Sequence, residues 1–109
     1  MDMQDAIELI ERYTAGKTEI QFTRDSMMRD AVERNIERLS EASRHLTDDI
    51  KLSEPAIPWR AIADIGNVLR HGYDRVNPHR VWEVVERDLS VLKPAILRLI
   101  AVAERTGKS

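Results

Sequence analysis

The sequence predicts an all-α fold, an up-and-down bundle of four to five helices made by a single domain over residues 1–109. Three observations carry that expectation. The chain has 109 residues, enough for one hydrophobic core and too few for two. It is 42% hydrophobic and 33% charged, with only four glycines and four prolines, a composition rich in helix formers. Its apolar residues recur at three- and four-residue intervals, with no sustained alternation of the kind a strand needs.

The first helix is expected over about residues 3–15. Asp2 is placed to cap it, Met3, Ile7, Ile10 and Tyr13 or Thr14 mark one face, and Gly16 is a natural stop. From Lys17 to Phe22 the pattern is short and ambiguous, and a connector without regular structure is expected. Arg24 to about Leu46 contains neither glycine nor proline, and Met28, Val32, Ile36, Leu39, Ala42 and Leu46 trace one face of the longest helix. Its opposite face, with Arg29, Glu33, Glu37, Arg38, Glu41 and Arg44, reads as a solvated surface laced with weak ion pairs.

Residues 47–58, with Asp48, Asp49, Ser53, Pro55 and Pro58, read as a loop, because proline lacks the amide donor a helix interior needs. Pro58 suits the start of a third helix with an apolar stripe of Trp59, Ile62, Ile65 and Leu69, ending near Gly72. Asn77-Pro78 is a second start signal, an acceptor side chain before a residue with no amide to satisfy. Val81, Trp82, Val85 and Leu89 then line a fourth helix. A break or kink is expected near residue 90, followed by a fifth helix carrying Leu92, Ile96, Leu99, Ile100 and Val102.

Composition also narrows the function. Cysteine is absent, which removes disulfides and thiolate metal sites and suits a reducing compartment. The N-terminus lacks a signal-peptide pattern and no apolar run is long enough for a membrane span, so a cytoplasmic location is expected. The net charge is −2, yet residues 60–80 hold four arginines against two aspartates, a local basic patch able to meet phosphates.

Groups able to titrate near neutral pH or grip phosphate concentrate between Asn67 and Arg80. On a helix Asn67 and His71 share a face, Arg70 lies on an adjacent strip, and Tyr73 falls at or just beyond the helix end. An imidazole beside an amide, an arginine and a phenol can move a proton while a fixed cation stabilises a phosphoryl transition state. Such residues can equally cap a helix end and solvate a surface. Trp59 and Trp82 read as core or interface residues, His45 and His79 as surface residues without metal-ligand spacing, and the Met27-Met28 pair as packing. No metal site and no cofactor is expected.

The run from Pro58 to Tyr73, continued by Val81-Trp82-Glu83 and Asp88-Leu89, resembles the HepT-like ribonuclease toxins of the HEPN superfamily, as does Asp30-Ala31-Val32-Glu33-Arg34-Asn35-Ile36-Glu37 followed by Ser40-Glu41-Ala42. The resemblance covers nearly the whole chain. It implies an HEPN-like helical bundle, a homodimer whose motif helices meet at a cleft, and metal-independent cleavage of RNA. It further implies, as partner, a minimal nucleotidyltransferase antitoxin that silences the toxin by attaching AMP to the motif tyrosine. Carried onto this chain, His71 is the proton-transfer residue, Asn67 the polar residue after the motif's arginine position, and Tyr73 the modified phenol; in a ribonuclease of this sequence, Arg70 with Arg75 is expected to stabilise charge on the phosphate.

The family's arginine, four to six residues before the histidine, is missing: Gly66, Ile65 and Asp64 stand there. Two readings of Gly66 remain open from the sequence. Arg70, one turn later, could fold back across an empty space over Gly66 and replace the missing cation. Alternatively Gly66 could admit a neighbouring helix, with Arg70 simply exposed. The corresponding functional alternatives are a ribonuclease and a non-catalytic helical dimer module that binds the nucleotidyltransferase.

Overall fold

The computed structural model describes residues 2–71 and 77–105. Helix α1 (Asp2–Thr14) buries Met3, Ala6, Ile7 and Ile10, one helical face as the spacing predicts. Asp2 lies within its first turn, where a carboxylate suits the positive end of the helix dipole. Gly16 ends it with φ +71°, the left-handed conformation that costs a side-chain-bearing residue steric strain.

The expected connector after Gly16 is instead a second helix, α2 (Glu19–Arg24). Thr18 and Gln21 form a reciprocal capping box: Thr18 Oγ1 accepts from the Gln21 amide (3.2 Å) and Gln21 Oε1 from the Thr18 amide (2.9 Å). Its one buried residue, Phe22, reaches Trp82 with ring centroids 5.3 Å apart.

Asp25 separates α2 from the long helix α3 (Ser26–Arg44). Its backbone N–H donates to Gln21 O and Phe22 O, closing α2, and its carboxylate accepts from the Met28 amide (3.0 Å), opening α3. The long helix therefore begins two residues later than the sequence pattern suggests. It buries Val32, Asn35, Ile36, Leu39, Ser40 and Ser43, and it packs against both α1 and α5.

The predicted loop contains a one-turn helix, α4 (Asp48–Leu52), whose N-cap Thr47 accepts from the Ile50 amide (3.3 Å). The Trp59 indole N–H reaches two carbonyls, Lys51 O (3.1 Å) and Glu54 O (3.2 Å), so this tryptophan ties the segment to the start of α5 (Trp59–Arg70). Helix α5 buries Ile62, Ile65 and Gly66.

The chain is described again from Asn77, whose Oδ1 accepts from the His79 amide (2.9 Å) and starts α6 (Pro78–Glu83). Of the break or kink expected near residue 90, the break is absent. A π-helical stretch, Val84–Asp88, joins α6 to α7 (Leu89–Arg105), with the Leu89 amide bonded to Val84 O, five residues back. Ser90 donates its hydroxyl to Arg87 O (2.7 Å) and starts no new helix, and Pro94 lies inside α7.

The core gathers α1, α3, α5, α6 and α7 around Ile7, Ile10, Ile36, Leu39, Val81, Leu92 and Ile96. The described residues thus form an all-α bundle with α3 at its centre, and no strand occurs among them. No described helix is long and apolar enough to cross a membrane.

Candidate functional site

The last turn of α5 holds three of the five predicted site residues. Asn67 and His71 stand one turn apart, and the His71 amide donates to Asn67 O (2.9 Å), closing the helix. Its imidazole is exposed, open to a substrate and to solvent. Arg70, the final residue of α5, points its Nη2 to Glu41 Oε2 of α3 at 3.5 Å. Tyr73 and Arg75 lie outside the described residues.

Gly66 decides between the two sequence readings. It is buried against α3, where a Cβ built on it would overlap both Oγ and Cβ of Ser40, well inside the 3.0 Å that real Cβ contacts respect. The space over Gly66 is therefore filled, and the expectation that Arg70 folds back across it is corrected: Ser40 occupies the path and Arg70 turns to Glu41. Glycine here lets two helices approach backbone to side chain. Ser40 Oγ uses that proximity to donate to Ala63 O of α5 (3.1 Å).

One turn after Ser40, Arg44 exploits the same closeness. Its Nη2 donates to Ala63 O (2.9 Å) and to Asn67 Oδ1 (2.5 Å), which holds the Asn67 amide beside the helix end. Glu41 lies between: Arg44 Nη1 is 3.7 Å, Arg70 Nη2 3.5 Å and His45 Nε2 3.5 Å from its oxygens. Two guanidiniums, joined by an imidazole when it is protonated, thus surround one carboxylate, leaving a local excess of positive charge next to Asn67.

Glu41 and Arg44 keep the exposed, ion-paired character expected of this face of α3, and Arg44 in addition reaches across to α5. Ser40 faces α5 because it sits opposite Gly66 and Ala63, and that proximity turns the long Arg44 side chain one turn later into an inter-helix contact. The sequence signal that could have shown it is the small residue Ser40 on the buried side of α3, matched by a glycine elsewhere. Among the described residues no group of three or more His, Asp or Glu could hold a metal ion.

The other conspicuous residues divide between surface and core. His45 is largely exposed, with 76% of its side chain accessible. His79 lies on the surface but is engaged: its Nδ1 is 2.8 Å from Glu19 Oε2 and its Nε2 3.6 Å from Glu83. The Glu19 hydrogen bond, with the charges of Glu19 and Glu83, holds its pKa above the ordinary value of 6.5 against the opposing effects of desolvation and Arg87. Trp82 is core, Trp59 is half-buried, and the methionine pair divides, Met28 packing on the core and Met27 being exposed.

A family model described as "Ribonuclease HepT-like" matches residues 3–99. A protein of Thermococcus cleftensis named "Probable ribonuclease HepT" is 37% identical over 92 residues, 84% of this chain and 84% of that protein. A protein of Methanocaldococcus jannaschii named "Gamma-glutamylcyclotransferase and putative RNase" is 38% identical over 96 residues, 88% of this chain. The chain spans 43% of the length of that second relative. No solved structure gives a significant match.

Proposed function

This chain belongs to the HepT-like ribonuclease family, and on that premise we propose that it is a cytoplasmic toxin, a homodimer that cleaves RNA endonucleolytically without a metal ion. A minimal nucleotidyltransferase partner silences it by attaching AMP to Tyr73. The observation that carries the proposal is the family match over residues 3–99, which runs through an exposed imidazole at the end of α5. His71 takes the proton from a ribose 2′-hydroxyl or gives one to the leaving 5′-oxygen, as the 2′-oxygen bonds to phosphorus and the phosphorus–5′-oxygen bond breaks. Asn67 orients the phosphate, and Arg70 and Arg75 meet its developing charge.

The test is cleavage of single-stranded RNA by the purified chain in the presence of a chelator. Wild type cleaves and His71→Ala does not. With the nucleotidyltransferase and ATP, wild type gains the mass of AMP at Tyr73 and stops cleaving, whereas Tyr73→Phe stays unmodified and active. Cleavage that survives His71→Ala overturns the assignment of the proton-transfer residue, and an unmodified Tyr73 overturns the regulatory half.

One observation favours a second reading. Gly66 stands where relatives of this kind are expected to carry arginine, and Ser40 closes the space beside it. A chain that lost its cation there would serve as a non-catalytic dimer that presents Tyr73 to the nucleotidyltransferase. An inert wild type that is still modified by the partner supports that reading.

A further inference from the structure

We propose that Arg44 is the phosphate-gripping cation of this site, supplied from α3 in place of the guanidinium that Gly66 leaves out of α5. The inference rests on the ribonuclease reading above and adds to it a residue from a different helix.

Arg44 differs from the other basic groups around Glu41 in how it is held. Arg70 has one long contact, 3.5 Å to a carboxylate, and His45 has one of the same length. Arg44 has two short bonds, to Ala63 O (2.9 Å) and Asn67 Oδ1 (2.5 Å), and both acceptors are neutral. A guanidinium fixed by neutral acceptors keeps its charge available, and fixing it beforehand removes the reorganisation that would otherwise accompany phosphate binding. Among the described residues the one carboxylate paired with it, Glu41, stands off at 3.7 Å, longer than the 2.7–2.9 Å of a close charge-assisted bond. Both of the short bonds use Nη2, so the remaining donors of the planar fork can meet two phosphate oxygens. About a third of the side chain, 32%, is accessible.

The geometry also explains why the cation comes from α3. Ala63 and Asn67 flank Gly66 along α5, three residues before it and one after, and Arg44 contacts both. Ser40, one turn before Arg44, fills the Gly66 notch and donates to the same Ala63 carbonyl. Removing a side chain at 66 therefore brings the two helices close enough for α3 to place its own arginine on the Asn67 amide. The ligand is a phosphodiester of single-stranded RNA.

The experiment compares wild type, Arg44→Ala, Arg44→Gln and Arg44→Lys, with Arg12→Ala on α1 as a charge-matched control. Gln keeps donors for Ala63 O and Asn67 Oδ1 without the charge, which separates a structural tie from a cation. Cleavage of single-stranded RNA is measured alongside binding of a 2′-O-methyl single-stranded oligonucleotide by fluorescence anisotropy over a range of salt concentrations. Both Ala and Gln should cut cleavage by about 100-fold and flatten the slope of log Kd against log salt by about 0.7, the loss of one phosphate contact. Lys should restore the salt slope but not the cleavage rate. Arg12→Ala should match wild type in cleavage.

Cleavage by Arg44→Gln within about threefold of wild type, a change too small for a lost transition-state cation, or an unchanged salt slope, overturns the proposal. Should wild type and His71→Ala be equally inert, the ribonuclease reading falls, and the salt slope still decides whether Arg44 meets phosphate.

Discussion

Placing a methyl group on Gly66 tests the helix contact on which the site is built. In an open helix, Gly66→Ala would stabilise by about 1 kcal/mol, because alanine loses less backbone freedom on folding. Here the new Cβ would lie inside the van der Waals envelope of Ser40 Oγ and Cβ, and the atom in the way is not the end of a flexible chain. Helices α3 and α5 must part to admit it. Overpacking of this kind costs about 1–3 kcal/mol, and parting the helices also weakens the Ser40–Ala63 hydrogen bond, worth about 1 kcal/mol. The net expectation is a loss of about 1–3 kcal/mol, a fall in Tm of roughly 4–12 °C for a domain of this size.

A compensating change makes the reasoning specific. Ser40→Gly removes both overlapping atoms and leaves Ser40 Cα, at 3.8 Å, as the nearest obstacle. Alone it is destabilising, by about 1 kcal/mol for the hydrogen bond and about 0.5 kcal/mol for helix propensity. Combined with Gly66→Ala, the methyl enters the vacated space, so the double variant should be more stable than the sum of the singles by about 1–3 kcal/mol. Urea denaturation followed by far-UV circular dichroism on the four proteins gives that coupling. A Gly66→Ala variant as stable as wild type, or a coupling near zero, refutes the contact.

Two pH-dependent predictions concern charged groups away from the site. His79 has its pKa raised by Glu19, so the pair's contribution is fully present below the unfolded value of 6.5 and is lost as pH rises through the folded value. The Tm difference between wild type and Glu19→Gln should be larger at about pH 6 than at about pH 9, and a difference that grows with pH would contradict the linkage. Glu33 on α3 has its pKa raised first by desolvation, then by Asp30 and Glu37, with Arg29 opposing. Its ionised form therefore costs stability at neutral pH, and the cost disappears as pH falls through the folded value towards 4.5. Glu33→Gln should raise stability at pH 7 by up to about 0.5 kcal/mol, the scale of surface changes, with the gain fading in acid; a gain independent of pH would assign it to helix propensity.

The long-range organisation was legible because it rests on periodicity. Met3, Ile7 and Ile10, then Val32, Ile36 and Leu39, then Ile62 and Ile65, repeat at helical spacing and are all buried. What escaped the sequence was set by local capping and by contact. Thr18 and Gln21 carried a capping-box signature, but Ile20 and Phe22, two residues apart, gave no helical period, so the segment read as a connector; only Phe22 is buried. The turn-ending role of Asp25 needed no glycine or proline, so an uninterrupted run of helix formers hid a helix boundary. The π-helical stretch kept α6 and α7 continuous where the sequence pattern suggested a break near residue 90. In the site, the placement of Asn67, Arg70 and His71 on one helix end followed from spacing, whereas the partnership of Gly66 with Ser40 and of Asn67 with Arg44 joins residues 23 or more positions apart, which no local pattern encodes.

The elbow at Asp25 divides its duties between main chain and side chain. Ending α2 requires only an amide hydrogen, which nineteen of the twenty amino acids possess, while launching α3 requires a short acceptor that can bend back to the Met28 amide. The two helices flanking this residue are thus separable by chemistry although they are contiguous in the chain. Proline at this point would release the first helix from its terminus, and alanine would strip only the second of its cap. A single position therefore serves two helix ends by separate means, and the first turn of the helix that bears Ser40, Glu41 and Arg44 leans on the carboxylate alone.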